Sequence, residues 1–380
     1  MMNNRKIGIL GGGQLGKMLY QSASTLHADV FIMEKDPACP SAGICPGFIL
    51  GDITRYEDVV AFGLKVDVIT IEIENVNIEA LEFLEKSGKL VYPQPSVIKL
   101  IKDKGLQKMF YEGFRIPTAD FMLFTDAKEI LQAVNDGVIQ RPFVQKTRKD
   151  GYDGRGVQVV RTEEDLGRLF NAPSVVESLI DIRAELAVIV SRSEHGEQRV
   201  FPPVQMQFHP TANLVEFLFS PSDLDKKILD KATALALEVA ERLDIIGLLA
   251  VEMFADKQGN VLVNEVAPRP HNSGHHTIEA NYTSQYDQLL RCLLGLPLGS
   301  TEARHAAAMV NLLGEDGFEG PTRYEGLDDA FSKEGVYIHL YGKKTTKPFR
   351  KMGHVTVIGD DIGSVKETAE YIFQTVKVKA

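Results

Sequence analysis

Glu252 and Glu265 are two carboxylates in a setting that ordinary surface acids do not share. Each acid lies inside an otherwise apolar run, Leu248 to Phe254 and Asn260 to Val266, and the runs are joined by Ala255-Asp256-Lys257-Gln258-Gly259, a stretch rich in breaker residues. The pattern predicts a hairpin whose two carboxylates point into one site. Carboxylates that close repel unless a proton or a cation lies between them. A hard divalent cation suits the pair, because magnesium typically takes one or two carboxylates together with phosphate oxygens. Arg269, His271, Asn272, Ser273 and His275 follow directly, on a segment broken by Pro268, Pro270 and Gly274. That is a polar loop at a strand end, where binding residues concentrate. Two solvent-facing glutamates on an edge hairpin are the plainer alternative, but the apolar surroundings and the density of donors favour the cation site. Zinc on His271, His275 and His276 is not expected, since Pro270 and Gly274 break the helix that spacing needs and no cysteine lies near.

These residues need a framework to hold them. Residues 1 to about 100 alternate strand and helix: Lys6 to Leu10, a helix to about Leu26, Val30 to Glu34, Phe48 to Leu50, Val66 to Ile73 and Leu90 to Tyr92. Alternation of this kind means a parallel, doubly wound sheet. Between the first strand and its helix, Gly11, Gly13 and Gly16 match the dinucleotide fingerprint, and Glu34 and Asp36 stand near where a ribose-binding acid would be. Glycines permit close backbone approach and a helix N-terminus attracts phosphate. Alone, this half supports either a nicotinamide oxidoreductase or a phosphosugar-binding domain.

A second glycine loop follows. A helix around Lys102 to Gly113 carries Lys102, Lys104 and Lys108, and a new α/β unit begins after Ile116-Pro117-Thr118. The strand Phe143-Val144-Gln145-Lys146 leads into Gly151-Tyr152-Asp153-Gly154-Arg155-Gly156, with Val157 to Val160 as the next strand. A flexible cationic loop behind a strand-end lysine suits closure over phosphates. Ser174 to Glu177 is another strand ending in an acid. Ala184 to Arg192, Gln198 to Val204 and Asn213 to Phe219 read as antiparallel strands, and Asp223 to Leu243 as an amphipathic helix whose stripe from Ile228 to Leu243 is core. After residue 300 come three strands, Ala307 to Leu313, Val336 to Tyr341 and His354 to Ile358, and a last helix near Ser364 to Gln374. The basic stretch from Lys343 to Lys351 needs an anionic partner.

Composition bounds the function class. A chain of 380 residues exceeds one small core and implies two or three domains. Net charge is −10, from 42 basic and 52 acidic side chains, which argues against a nucleic-acid or anionic-membrane surface. No apolar run reaches the roughly 18 residues of a membrane span. Three cysteines without a C-x-x-C pair suggest reduced thiols. With no signal-peptide core after Met1, a cytoplasmic protein is expected.

Taken together these stretches resemble the ATP-grasp superfamily and, within it, the N5-carboxyaminoimidazole ribonucleotide synthetases of purine biosynthesis. The resemblance covers essentially the whole chain. It is carried by Lys146 with the Gly151 to Gly156 loop, by Asn264-Glu265 through His275, and by Tyr341-Gly342-Lys343 to Arg350-Lys351-Met352-Gly353-His354. It implies an ATP-grasp fold of α/β and α+β class: a Rossmann-like pre-ATP-grasp parallel-sheet domain over 1–100, an ATP-grasp domain over 101–300 with a mobile lid at about 118–182, and a small β-rich C-terminal domain over 301–380. It implies that ATP and bicarbonate carboxylate 5-aminoimidazole ribonucleotide, with magnesium or manganese as the metal and a homodimer as the working form. By position, Lys104, Lys146, Gly151, Tyr152, Asp153, Gly154, Arg155, Gly156, Glu177, Leu179, Ile180, Glu185, Asn264 and Glu265 would hold ATP, and Glu252 and Glu265 the metal. Gln14, Leu15, Glu74, Tyr152, Asn272, Ser273, Lys343 and Arg350 would hold the ribonucleotide, its phosphate meeting the glycine-loop helix end. Asp153, Arg155, Arg269 and His271 would act in catalysis. The chain departs from the family pattern at Ile73, Met206 and Lys347-Pro348-Phe349-Arg350, the last replacing arginine-proline-glycine-arginine. The second reading is a formate-dependent glycinamide ribonucleotide transformylase; a nicotinamide oxidoreductase would leave Glu252, Glu265 and the second loop without a role.

Overall fold

Five short apolar strands open the chain and stack in parallel: β1 (Ile7–Leu10), β2 (Val30–Glu34), β3 (Phe48–Leu50), β4 (Val68–Ile71) and β5 (Leu90–Val91), in the order β3-β2-β1-β4-β5. β1 and β4 are buried at every position, as parallel strands covered on both faces must be. Strand order reverses between β1 and β4, and ligands of such sheets bind beyond the carboxyl ends of the strands at that switch point. The computed structural model describes residues 5–149, 151, 156–209 and 214–380.

The expected basic helix starts at Lys104 rather than at about Lys102, and a separate helix, not foreseen, precedes it. Pro95–Ile101 ends before Asp103, whose carboxylate accepts the Gly105 and Leu106 amides and caps a new helix, Lys104–Phe114. The cap places Lys104 at the first helical position. Beyond it lies a four-stranded antiparallel sheet of β6 (Phe121–Phe124), β7 (Phe143–Thr147), β8 (Val157–Val160) and β9 (Ser174–Ser178), ordered β6-β9-β7-β8 around Ile130, Phe143, Val160 and Val176.

The central sheet is built from β10 (Ile182–Arg192), β11 (Gln198–Val200), β12 (Val204–Phe208), β13 (Val215–Ser220), β14 (Gly247–Asp256), β15 (Val261–Ala267) and β16 (Ala306–Leu313). Two short pairs, β17 (Gly320–Pro321) with β20 (Thr345–Thr346) and β18 (Arg323–Glu325) with β22 (Lys377–Lys379), frame β19 (Val336–Leu340) and β21 (Lys351–Gly359). The order β15-β14-β10-β12-β13-β16-β21-β19 is unbroken, because β13 pairs with β16. The strands after residue 300 therefore extend the central sheet.

Helix Lys226–Leu243 buries Ile228, Ala232, Leu235, Ala236, Val239 and Leu243 against one face of that sheet, the stripe expected from its periodicity. On the other face, helix Gln285–Leu294 joins Leu289, Leu290 and Leu293 to Ile9, Met18 and Leu19 of the first unit and to Ile189 and Leu248 of the sheet. One continuous core thus fixes the first glycine loop relative to the β14–β15 hairpin. No helix among the described residues is long and apolar enough to cross a membrane.

Candidate active site

Glu252 of β14 and Glu265 of β15 are direct cross-strand partners, which brings their side chains onto one face of the hairpin. The register then slips: Met253 pairs with Val263, leaving Asn264 as an extra residue on β15. In a regular strand Asn264 and Glu265 would point to opposite faces. A bulge re-aims a side chain, and here both serve one cleft. Lys104 pairs with Glu265, while Lys146 donates to Asn264 Oδ1 at 2.8 Å and pairs with Glu177 at 2.8 Å. Lys108, buried in the same helix as Lys104, reaches the other Glu177 oxygen at 3.0 Å.

The charges are unevenly shared. Burial, and then the negative charge of Glu265, push the Glu252 carboxyl well above the usual carboxylate range. The Lys104 ammonium holds Glu265 well below it. Burial alone would raise Glu177, but Lys146 and Lys108 outweigh it and hold that acid down. Glu185, on β10 beside the cleft, is pushed up to about 7 by burial, which the charge of Lys146 only partly offsets. Its cross-strand neighbour Met206 is buried among Ala187, Val204 and Leu218, so this departure from the family pattern is core packing. Leu179 and Ile180 are half-buried on the link between β9 and β10.

The strand end bearing Lys146 is tied to the helix bearing Lys104. Arg148 grips Asp103 with both Nε and Nη2, each at 2.8 Å, and the Lys104 amide donates to the Arg148 carbonyl at 2.9 Å. Gly156 accepts the Thr147 amide and lies at φ 74°, a conformation that favours glycine. Gly151 is half-buried. Tyr152, Asp153, Gly154 and Arg155, expected in this loop, lie outside the described residues.

The donor loop after β15 spans between units. Arg269 Nε lies 2.9 Å from Glu74 Oε1 of the first unit, and His271 Nε2 lies 3.3 Å from Glu252 Oε1. Gln285 braces His271 by accepting its amide and donating to its carbonyl, each at 2.8 Å. Asn272 and Asn311 of β16 exchange two amide hydrogen bonds of 2.9 Å, and the buried Ser273 hydroxyl bonds His271 Nδ1 at 2.8 Å. The side chains of Asn272 and Ser273 therefore hold the loop in shape. His275 is buried and stacks on His354, which stacks on His339, and burial holds both His275 and His354 neutral.

At the first glycine loop one expectation is corrected. The Gly13 and Gly16 amides donate to Glu72 Oε1 and Oε2, each at 2.8 Å, and the Gly12 amide donates to Glu34 Oε2 at 3.3 Å. The donors that would receive a phosphate are engaged by the protein's own carboxylates, and the acid expected at a dinucleotide ribose is turned onto the loop. Gln14 is half-buried and Leu15 buried at the start of helix Gln14–Thr25. From the same helix, Lys17 Nζ donates to the Leu340 carbonyl at 2.8 Å, which joins the loop to the C-terminal basic segment. There Lys343 Nζ donates to the Lys351 carbonyl at 2.7 Å, and Arg350 Nη1 to the Thr345 carbonyl at 2.7 Å. Phe349 sits at φ 63°, which accounts for glycine at this position in the family pattern.

Glu72, Asp103, Gln285 and Asn311 were not expected at the site, and Arg148 was expected only as one of the basic residues of the loop after Lys146. The alternation of Glu72 with Glu74 at the end of β4 was the one local signal available for any of those four.

Three family descriptions match the chain in succession: a ribonucleotide synthetase preATP-grasp domain over residues 4–102, an ATP-grasp domain over 109–286, and a phosphoribosylaminoimidazole carboxylase C-terminal domain over 307–368. The N5-carboxyaminoimidazole ribonucleotide synthase of Bacillus subtilis is 36% identical over 355 residues, covering 92% of this chain and 90% of its own length. A chloroplastic phosphoribosylaminoimidazole carboxylase of Vigna aconitifolia is 34% identical over 97% of this chain; the chain spans 66% of that relative's length. Among solved structures, the N5-carboxyaminoimidazole ribonucleotide synthetase of Thermotoga maritima is similar with a TM-score of 0.91, 37% identity and 99% coverage of both chains. The Aspergillus clavatus N5-carboxyaminoimidazole synthase in complex with ADP and 5-aminoimidazole ribonucleotide is similar with a TM-score of 0.89 and 30% identity, covering 98% of this chain and 100% of that one.

Proposed function

Because the chain belongs to the ATP-grasp family of N5-carboxyaminoimidazole ribonucleotide synthases, we propose that it is a carbon–nitrogen ligase of purine biosynthesis that carboxylates 5-aminoimidazole ribonucleotide with bicarbonate and ATP. The observation that carries this reading is the opposed Glu252–Glu265 pair, with Lys104 and Lys146 beside it, on the hairpin whose following loop delivers Arg269 to Glu74.

ATP is the co-substrate. Its phosphates take Lys104 and Lys146, which exchange their present partners Glu265, Glu177 and Asn264 for phosphate oxygens. Gly151 and Gly156 belong to the lid over them. Glu177, Leu179 and Ile180 line the adenine slot, and Glu185 meets the ribose. Glu252 and Glu265, with Asn264 beside them, fit a divalent cation, since burial and then the charge of Glu265 hold the Glu252 carboxyl above its ordinary range. Magnesium, or manganese with the same oxygen preference, would neutralise charge on the phosphate oxygens when bound.

A bicarbonate oxygen attacks the terminal phosphorus, the bridging P–O bond breaks, and ADP leaves carboxyphosphate behind. Lys146 and Arg269 stabilise charge on the transferring oxygens. The substrate amine then attacks the carboxyl carbon as inorganic phosphate leaves. Asp153 orients the amine or takes its proton; His271 and Arg155 complete the bicarbonate site. Gln14, Leu15 and Glu74 hold the ribonucleotide beside the loop shaped by Asn272 and Ser273, and Lys343 and Arg350 receive its phosphate. A cytoplasmic homodimer is the expected working form.

The test is phosphate release from ATP with magnesium and bicarbonate, with and without 5-aminoimidazole ribonucleotide. Strong stimulation by that substrate is expected. Stimulation instead by glycinamide ribonucleotide with formate would move the assignment to the transformylase, and no ATP turnover would sink both.

A further inference from the structure

Glu72 follows β4 directly, and the pairing of Leu10 with Ile71 sets it beside Gly11. Its backbone amide donates to the Leu10 carbonyl at 3.0 Å, so the side chain is delivered under the loop by the sheet itself. Both carboxylate oxygens then accept an amide from the start of helix Gln14–Thr25, Gly13 on one and Gly16 on the other. This is the two-point anion binding that helix N-termini offer to phosphates. The glycines make room for the acid. A Cβ on Gly11 would lie 2.3 Å from Glu72 Cγ, and one on Gly13 would lie 2.4 Å from Glu72 Oε1. Gly11 also stands at φ 105°, which side chains rarely adopt.

We propose that Glu72 is the resident anion of the glycine loop: it occupies the seat of a ligand phosphate, excludes phosphates and dinucleotides from this helix end, and as a positioning residue fixes Gln14 and Leu15 for the substrate. Burial raises the Glu72 carboxyl above its ordinary range, and the Gly16 and Gly13 amides, then the charge of Arg269, which is itself paired with Glu74, oppose that shift. The glycine fingerprint in this chain thus serves an internal carboxylate. The effect on turnover rests on the reaction proposed above; the occupancy of the loop does not.

Removing the carboxylate should leave a seat that a free carboxylate can refill. The experiment compares the wild-type chain with Glu72→Ala and Glu72→Gln, in sodium acetate and in sodium chloride of equal ionic strength. Acetate should raise the melting temperature of Glu72→Ala and leave the wild type unmoved. The KM for 5-aminoimidazole ribonucleotide should rise about tenfold or more in Glu72→Ala, from the loss of charged hydrogen bonds, and fall again with acetate. The KM for ATP should stay within about twofold, as a positioning effect on one substrate requires. Glu72→Gln keeps one acceptor but turns an NH2 group toward the second amide, and should raise the same KM with the fold intact, which keeps the test open if the alanine variant does not fold. Acetate acting equally on wild type and variant, or an unchanged KM for the ribonucleotide in both variants, overturns the proposal. If the wild type shows no ribonucleotide-dependent phosphate release, the reaction assignment fails, and the acetate melting comparison still decides the role of Glu72.

Discussion

Glu252 and Glu265 oppose each other across the hairpin, yet Lys104 pairs with Glu265 while Glu252 has His271 Nε2 3.3 Å from its Oε1. The two acids should therefore behave alike in catalysis and differently in stability. Glu265→Gln and Glu252→Gln are each expected to lower kcat by about 100-fold or more, because several kcal/mol of charge stabilisation is lost with either ligand. Glu265→Gln should also cost about 1 kcal/mol of stability by leaving Lys104 without its carboxylate, a modest figure because the pair is partly exposed. Glu252→Gln should not destabilise at pH 8, since it removes a carboxylate that burial and Glu265 already disfavour. Phosphate release and thermal melting of both variants check this. Near-normal turnover in Glu265→Gln would remove the metal assignment.

Glu185 gives a pH prediction. Burial raises its carboxyl from an ordinary 4.5 to about 7 in the folded chain. Between those values the folded state binds more protons than the unfolded state, so stability falls as pH rises. The contribution is fully present below about 4.5 and lost as pH passes through about 7. Its size is on the order of 3 kcal/mol at most. Glu185→Gln should therefore gain on the wild type in melting temperature between pH 5 and pH 8. Parallel profiles for the two proteins would show that Glu185 is not buried as described.

The strands that were legible with correct bounds, such as Val30–Glu34 and Val157–Val160, are apolar and flanked by breakers or polar loops. The two acids of the hairpin were legible for the same reason: charge inside an apolar run stands out. What was not legible depends on partners distant in the chain. The bulge at Asn264 is set by pairing with β14, not by any breaker in the sequence of β15. The merging of the last strands into the central sheet rests on pairing between residues 217–220 and 307–310, which leaves no local signal. Glu72 looked like part of a strand reaching Ile73, because Ile71 and Ile73 flank it. Its true role is set by glycine amides 56 to 59 residues earlier. Even the start of the basic helix was placed about two residues early, since a capping aspartate and an ordinary helix-surface aspartate read alike until the cap is seen.

Lys343 distinguishes the two proposed substrate subsites. It lies on the C-terminal segment that Lys17 joins to the first glycine loop, well apart in sequence from Lys104 and Lys146. With Glu72 occupying the glycine loop, the ribonucleotide phosphate is left, on this proposal, to Lys343 and Arg350. Lys343→Ala should raise the KM for 5-aminoimidazole ribonucleotide about tenfold or more, the worth of one charged hydrogen bond. The KM for ATP should move by no more than about twofold. Steady-state kinetics with each substrate varied in turn makes the comparison; equal changes in both constants would place Lys343 elsewhere.

Asp103 and Arg148 connect Lys104 and Lys146, the two lysines proposed for the ATP phosphates. Asp103 caps the helix that begins with Lys104 and receives both arms of Arg148, which stands two residues beyond Lys146. The Arg148 side chain holds Asp103 below its ordinary range against the opposing effect of burial. Asp103→Ala removes the cap and the ion pair together and should cost about 1–3 kcal/mol of stability. Arg148→Lys keeps a charge but not the planar fork, so it cannot restore the two-point grip. It should leave the melting temperature nearly unchanged while raising the KM for ATP severalfold, because Lys104 and Lys146 are no longer held at one spacing. A double-mutant cycle on Asp103 and Arg148, read in both melting and KM for ATP, isolates their coupling. Strictly additive effects in both readouts would mean that the pair decorates the cleft without setting the distance between its lysines.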